Sequence, residues 1–383
     1  MTLTGTRIAI VGSGIAGLSH AIALSRLGAT VDVFEQASAL REVGAALQIS
    51  ENGAKALDHL GVYQAIASYI TPSPLLQIYD YRAARPMLEL PFGTLRPQYR
   101  QGRILRWDLI SVLYRAACEG GCTFHFDAAI RSADPSGALI CADGRTAHYD
   151  WIIGADGVNS ALRPVVNPSA TPHFTGQVAW RALTPTQSTR PEICVVMAPR
   201  RHLVIYDIAG YRNIVAVEEC NDWTGHSWRQ EGRTVVLQQL FADVHPPWQA
   251  DLASITSTHK WGLHSYRHAD GVRRGRILLV GDAAHPTLPF MAQGACLAVE
   301  GAAVLSTAIA ASDMDGAVQT YAARHMPRAR KVVAQAARNG TSFHLPHGPK
   351  RMLAHGALRA AHLTGGRAMI GRWDWIYGYD PTL

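Results

Sequence analysis

The chain has 383 residues, 48% hydrophobic and 17% charged, with Lys+Arg 36 against Asp+Glu 29 and a formal net charge of +7. That length buries a sizeable core without metal or disulfide staples, and the composition excludes disorder as the main state. The basic excess favours anionic partners, but no basic run or motif accompanies it, so no nucleic-acid partner is expected. No stretch approaches the roughly 20 uninterrupted apolar residues of a membrane-spanning helix, so no membrane partner is expected either.

In chain order, the first element is a four-residue apolar run, residues 8–11. It is too short for a secretory core and lacks the basic flank, and it reads as a buried strand. The six cysteines, Cys118, Cys122, Cys141, Cys194, Cys220 and Cys296, form no C-x-x-C pair. They point to reduced thiols and a cytoplasmic location. Gly12-x-Gly14-x-Ala16-Gly17 follows the run, then Leu18, Ala21, Ile22 and Leu24 at helical spacing, then an alternating segment, residues 30–35. This is a βαβ unit with a glycine-rich first turn. Gly12 permits the tight turn, Gly14 lets the backbone approach a pyrophosphate, and Gly17 lets the helix pack on the sheet. The helix N-terminus presents unpaired N–H groups to phosphates. Glu35 ends the second strand about 20 residues further on, where a carboxylate can accept from both ribose hydroxyls. The unit alone leaves FAD and NAD(P) open, and a tight turn without ligand remains the plainer alternative.

Residues 75–81 look strand-like, and residues 108–118 form an amphipathic helix with Leu109, Ile110, Leu113 and Ala117 on one face. Residues 123–126, 138–142 and 151–153 read as strands, the last running into Gly154-Ala-Asp156-Gly157. From 177 to about 264 the pattern is that of an antiparallel sheet, with β-rich runs at 193–197, 203–207 and 213–217. Residues 276–280 form another buried strand before Gly281-Asp282-Ala-Ala-His285-Pro286. Helices are expected from about 294 to 312 and from 315 to about 337.

The glycine fingerprint, the Asp156-Gly157 stretch, and Gly281-Asp282 with Ala292-Gln293-Gly294-Ala295 resemble, in order and separation, three motifs of one family. These are the class A flavoprotein monooxygenases, the single-component FAD-dependent aromatic hydroxylases. The resemblance runs from Ile8 to about Glu300. Within the family it points to the salicylate, 3-hydroxybenzoate and 6-hydroxynicotinate hydroxylases through Val43-Gly-Ala-Ala-Leu-Gln48-Ile-Ser-Glu-Asn52, Leu105-Arg106-Trp-Asp108 and Met291-Ala-Gln-Gly-Ala-Cys296.

The fold this implies is α/β and para-hydroxybenzoate-hydroxylase-like. A Rossmann-like FAD-binding domain (1–70, 100–176 and 265–325) carries an inserted antiparallel β-sheet substrate domain (71–99 and 177–264), and a C-terminal helical segment (326–383) closes the chain. FAD is the implied cofactor, NADH or NADPH the co-substrate, and O2 with a small aromatic compound the remaining partners of a monomer or homodimer. The implied reaction hydroxylates a phenolic or heteroaromatic ring, that of an aromatic carboxylic acid, through a flavin C4a-hydroperoxide.

By the same resemblance Glu35 binds the adenosine ribose, Arg106 the ribityl–phosphate region and Asp282 the ribityl chain. Asp156 and Gly157 serve flavin and pyridine nucleotide, and Gly294 and Ala295 face the flavin pyrimidine edge. His202 and Tyr206 lie an even number of residues apart on one strand, so both face one side and are the catalytic candidates. Gln48 and Phe290 occupy positions that are histidine in the 6-hydroxynicotinate hydroxylases, which counts against that substrate. Pro286, Pro289 and Met291 shape the pocket. Arg181 meets an anionic substrate, NAD(P)H or a structural carboxylate. His264 and His268 share no Glu in a zinc-protease arrangement, so no metal is expected. Three other readings compete: a nucleotide-binding protein of this fold without hydroxylase activity, a monooxygenase of a polycyclic natural product or antibiotic, and a simple NAD(P)-dependent dehydrogenase. A flavin halogenase is disfavoured because Trp373-Asp-Trp375-Ile lacks the proline of W-x-W-x-I-P.

Overall fold

Strand Arg7–Val11 is buried along its last four residues because its sheet is covered on both faces, as a parallel sheet requires. The computed structural model describes residues 2–40, 46–221, 223, 230–267 and 271–383. The strand pairs in parallel with Thr30–Phe34 on one side and Trp151–Gly154 on the other. Thr123–His125 and Ile277–Leu279 extend the sheet outward in parallel, and Arg273–Arg274 adds an antiparallel edge. Helix Ile15–Arg26 covers it together with Arg106–Glu119, whose Leu109, Ile110, Leu113 and Ala117 are buried as the spacing predicted.

A second sheet has eight strands, ordered Gln230–Gly232, Thr258–Arg267, Thr171–Pro185, Tyr211–Glu219, Arg201–Ile208, Glu192–Ala198, Leu75–Asp80 and Leu88–Leu90. It is antiparallel except where Leu75–Asp80 runs parallel to Glu192–Ala198. Strands Thr171–Pro185 and Thr258–Arg267, both of the second sheet, run across the expected domain boundaries at 176/177 and 264/265. His264 lies in the second of these strands; His268 and residues 43–45 lie outside the described residues.

Helix Gly294–Ala311 is 18 residues long with a mean hydropathy of 1.7, enough by length and composition to cross a membrane. Here 72% of it is buried inside the fold, against helices Ile15–Arg26, Glu51–His59 and Met314–Phe343. A helix that is apolar all round is a core helix when protein surrounds it.

The next helix runs Met314–Phe343, past the expected end near 337 and unbroken across position 326. Asn339-Gly340 reads as a stop signal in sequence, but Gly340 stays helical for a packing reason. A Cβ there would lie 2.6 Å from the Phe290 ring, so glycine admits that ring against the helix. Helices Pro349–Leu363 and Arg367–Tyr377 then close the chain.

Candidate active site

A cavity of about 790 Å³ lies between the two sheets, under helix Gly294–Ala311 and the C-terminal helices. Its walls include Gly14, Ala16, Arg106, Gly157, Asp282, Gly294 and Ala295 at one end. At the other end stand Gln48, Arg181, His202, Tyr206, Pro289, Phe290 and Met291. Gly12, Gly17, Glu35 and Asp156 lie behind the lining.

The first end is made of backbone. Gly12 has φ +101°, and a Cβ on it would sit 2.5 Å from the Ala155 carbonyl oxygen. A Cβ on Gly17 would sit 1.9 Å from the Gly12 carbonyl oxygen. Both glycines therefore let strand, turn and helix pack. Gly14 differs: nothing lies within 4 Å of its Cβ position, and it caps helix Ile15–Arg26 with no side-chain hydrogen bond. Open space thus faces a helix N-terminus whose first N–H groups lack a cap, a cradle for an anion. Glu35 is fixed beside it. Its Oε2 accepts from Ser13 N (3.0 Å) and Ser13 Oγ (2.7 Å), and its Oε1 from Ala37 N (2.9 Å).

Arg106 begins its helix and points into the cavity. Burial disfavours its charge, and the nearby Asp282 carboxylate favours it. Burial likewise pushes the Asp282 carboxyl up, against the pull of Arg106 and Arg163. Asp156 Oδ2 accepts from Ala161 N (2.7 Å) and Leu162 N (3.4 Å), which caps the turn after its motif. Its Oδ1 is buried with no partner among the described residues, and burial raises its pKa.

Arg163 was not singled out in sequence, although it ends the second motif. Its guanidinium donates to the carbonyls of Val158 (2.7 Å), Ala283 (2.9 Å) and Asp282 (2.5 Å), and lies over the Tyr266 ring at 3.7 Å. It therefore ties the second motif to the third, with nearly all of its surface buried. The third motif is braced again further along. Asn52 Nδ2 donates to Gln293 Oε1 (2.7 Å) and Glu300 Oε1 (2.5 Å), while Arg328 holds both Glu300 oxygens at 2.8 and 2.9 Å. Pro286 is not part of the cavity wall, and its neighbour His285 faces His325 across 3.2 Å.

The second end is made of side chains. Along strand Arg201–Ile208, His202, Val204 and Tyr206 line the cavity while Leu203 and Ile205 enter the core beyond the sheet. The two-residue period puts both catalytic candidates on one wall. Burial pushes the Tyr206 phenol up to about 12, against the pull of Arg181 and Arg103, so it stays protonated and can donate. Burial lowers the His202 pKa well below its ordinary value, aided by His344, so its ring is neutral. The Phe290 ring meets His202 edge-on at 5.4 Å.

Arg181 projects from strand Thr171–Pro185 and stacks on Trp261 at 4.9 Å. No carboxylate lies within ion-pair distance of it among the described residues, and its Nε is buried without a partner. Arg181 is partly buried and is one of the residues that line the cavity. Burial first, and then repulsion from Arg106, lowers its pKa. Arg372 and Trp373 on helix Arg367–Tyr377 also reach the wall, and no spacing signal marked them.

Residues 5–336 match the family described as FAD binding domain. The chain belongs to that family. It is 31% identical to 3-amino-4-hydroxybenzoate 2-monooxygenase PtnB3 of Streptomyces platensis, over 98% of this chain and 96% of that one. It is 30% identical to 6-hydroxynicotinate 3-monooxygenase of Bordetella bronchiseptica, over 78% and 82%. Klebsiella pneumoniae HpxO, solved with FAD and uric acid, superposes with a TM-score of 0.85 at 25% identity, covering 97% of this chain and 96% of its own. The family resemblance, the fold class and FAD as cofactor expected from sequence all hold.

Proposed function

We propose that the protein is an FAD- and NAD(P)H-dependent monooxygenase that hydroxylates the ring of a phenolic or hydroxypyridine carboxylic acid. The observation that carries this reading is Arg181, which lines the same cavity as His202 and Tyr206 and has no carboxylate within ion-pair distance among the described residues. A buried cation left unpaired is costly, and a substrate carboxylate removes that cost with a charge-assisted, bidentate contact. Relatives named for 3-amino-4-hydroxybenzoate and 6-hydroxynicotinate act on acids of this kind.

The residues present fit FAD. The open cradle at Gly14 suits a pyrophosphate, Glu35 the adenosine ribose, and Arg106 with Asp282 the ribityl–phosphate region. The uncapped helix terminus at Gly294 and Ala295 suits the pyrimidine edge, where negative charge gathers on reduction. When bound and reduced by NADH or NADPH, FAD activates O2 and supplies an electrophilic oxygen atom. The chain does the rest. Arg181 holds the carboxylate, Tyr206 donates to the phenolic oxygen, and neutral His202 accepts the phenol's proton, which raises electron density on the ring. Phe290, Met291 and Phe343 keep water from the reacting carbon. Among the described residues no two cysteines form a disulfide, which suits a reducing cytoplasm.

A second reading has one observation in its favour. The cavity continues as an apolar arm past Leu88 and Leu90 to Leu358, Met369 and Trp373, room that a single-ring acid leaves unfilled. A larger aromatic natural product would use it. One panel separates the two: hydroxybenzoates, aminohydroxybenzoates, hydroxynicotinates and polycyclic phenols, each scored for stimulated NAD(P)H oxidation and product mass. Stimulation with a mass gain of one oxygen is expected from a monocyclic acid. Response to polycyclic phenols alone supports the second reading, and a flavin-free protein that takes up no FAD removes both.

A further inference from the structure

Behind His202 a polar path leaves the cavity. His202 Nδ1 lies 2.7 Å from His344 Nε2, and His344 Nδ1 lies 3.4 Å from Glu219 Oε1. His202 is 1% and His344 2% exposed, whereas the Glu219 side chain keeps 34% exposure. Three distant segments meet here: strand Arg201–Ile208, the residue capping helix Met314–Phe343, and the end of strand Tyr211–Glu219. Phe290 and Phe343 pack on the His202 ring at 5.4 and 5.2 Å, Gln177 Nε2 lies 3.4 Å from His344 Nδ1, and Arg200 Nε donates to Glu219 Oε2 at 3.0 Å.

An imidazole pair at this distance needs one nitrogen to donate and the other to accept, which two neutral rings satisfy. Burial keeps both neutral, lowering His344 to about 4. Two arrangements of the pair each have a partner waiting. With hydrogen on His344 Nδ1, Glu219 accepts it. With hydrogen on Nε2, the bare Nδ1 accepts from the Gln177 amide. A pair with partners for both tautomers passes a proton along without holding charge in the core.

We propose that His202, His344 and Glu219 form a proton exit from the substrate cavity to solvent, serving an acidic aromatic O–H bound at His202; this rests on the function proposed above. The substrate O–H bond breaks as its proton joins His202 Nε2. His202 Nδ1–H gives its proton to His344 Nε2, and His344 Nδ1–H gives its proton to Glu219 Oε1, which meets water. One proton enters and one leaves, both rings change tautomer, and the negative charge resides on the substrate oxygen. Reverse passage reprotonates the product and resets both rings. His202 is the group that touches substrate; His344 and Glu219 act through it.

The test uses the FAD-loaded enzyme and a chromophoric probe, 4-hydroxy-3-nitrobenzoate, whose phenolate absorbs visible light. Stopped-flow mixing in weak buffer with a pH indicator reads phenolate formation and proton release together. The wild type should ionise the probe and release its proton in one fast phase. His344→Gln should bind the probe equally but slow that phase on the order of 10–100-fold. Imidazole added to His344→Ala should restore it, which a merely structural role would not produce. Glu219→Gln, at the surface, should slow proton release with little change in melting temperature, and it carries the test if the His344 variants fail to fold. Variants as fast as the wild type, with no response to imidazole, overturn the relay alone. A wild type that binds no probe, or binds it without ionisation, overturns the proposed function and the relay with it.

Discussion

The two ends of the cavity are built by different means. The cofactor end presents backbone: an open Gly14 at one helix N-terminus and Gly294 at another, each without a side-chain cap. The substrate end presents side chains gathered from Gln48, Arg181, His202, Tyr206 and Phe290. Backbone recognition needs room and a helix terminus, so a run of consecutive residues specifies it. Side-chain recognition needs convergence of distant strands, and only the folded chain provides that. A family can therefore keep one end and vary the other, which is how site chemistry diverges on a shared fold.

Substitutions at both ends, and acid, probe this division, from the largest effect down. Gly17→Val should abolish flavin binding, since even a Cβ there meets the Gly12 carbonyl oxygen at 1.9 Å; the 450 nm absorbance of the purified protein checks it. Gly14→Ala is the sharper companion, because its Cβ meets no protein atom. It should leave the melting temperature nearly unchanged and still weaken FAD binding, and unaltered FAD affinity would break the cradle assignment.

Acid should act on both ends at once. Burial holds His20 and His285 on the cofactor side, and His344 on the substrate side, down to about 4 from 6.5. Between those values the unfolded chain binds more protons than the folded one, so stability is full above about 6.5 and falls as the pH drops toward 4. Urea midpoints across that range check the sign. His344→Gln should flatten only its own share of the slope.

Arg181→Met keeps much of the side chain's bulk and removes its charge. It should raise KM for an aromatic carboxylate by about 10–100-fold, the worth of a charge-assisted hydrogen bond of ~1.5–3 kcal/mol, with FAD affinity unchanged. Equal losses of both affinities would place Arg181 at the cofactor end. Ala292→Gly should give the smallest effect. Ala292 has φ +51°, where a side chain is strained, so glycine should relieve the turn by ~1 kcal/mol or less, read as a higher melting temperature.

The same division explains what could be read before the fold was known. Gly12, Gly14 and Gly17, and the strands flanking Asp156 and Asp282, are local patterns, and the structure places them at one end of the cavity. His202 and Tyr206 were paired by strand periodicity alone, which a single sheet face preserves. Arg163 escaped because an arginine opening a four-residue helix carries no periodic signal, and its meaning comes from carbonyls at positions 158, 282 and 283. His344 escaped for two reasons. The expected helix stopped near residue 337, and the contact that favours glycine at the still-helical position 340 is with Phe290, fifty residues away. Arg372 and Trp373 reach the cavity only because helix Arg367–Tyr377 folds back over it.

The most direct test of the account is the fate of oxygen. Turnover with NAD(P)H and the panel acid that best stimulates it, under 18O2, should place one labelled oxygen atom in the aromatic product for each nicotinamide consumed in coupled turnover. Product that carries unlabelled oxygen from water, or hydrogen peroxide alone with every acid tried, would contradict a hydroxylating cavity.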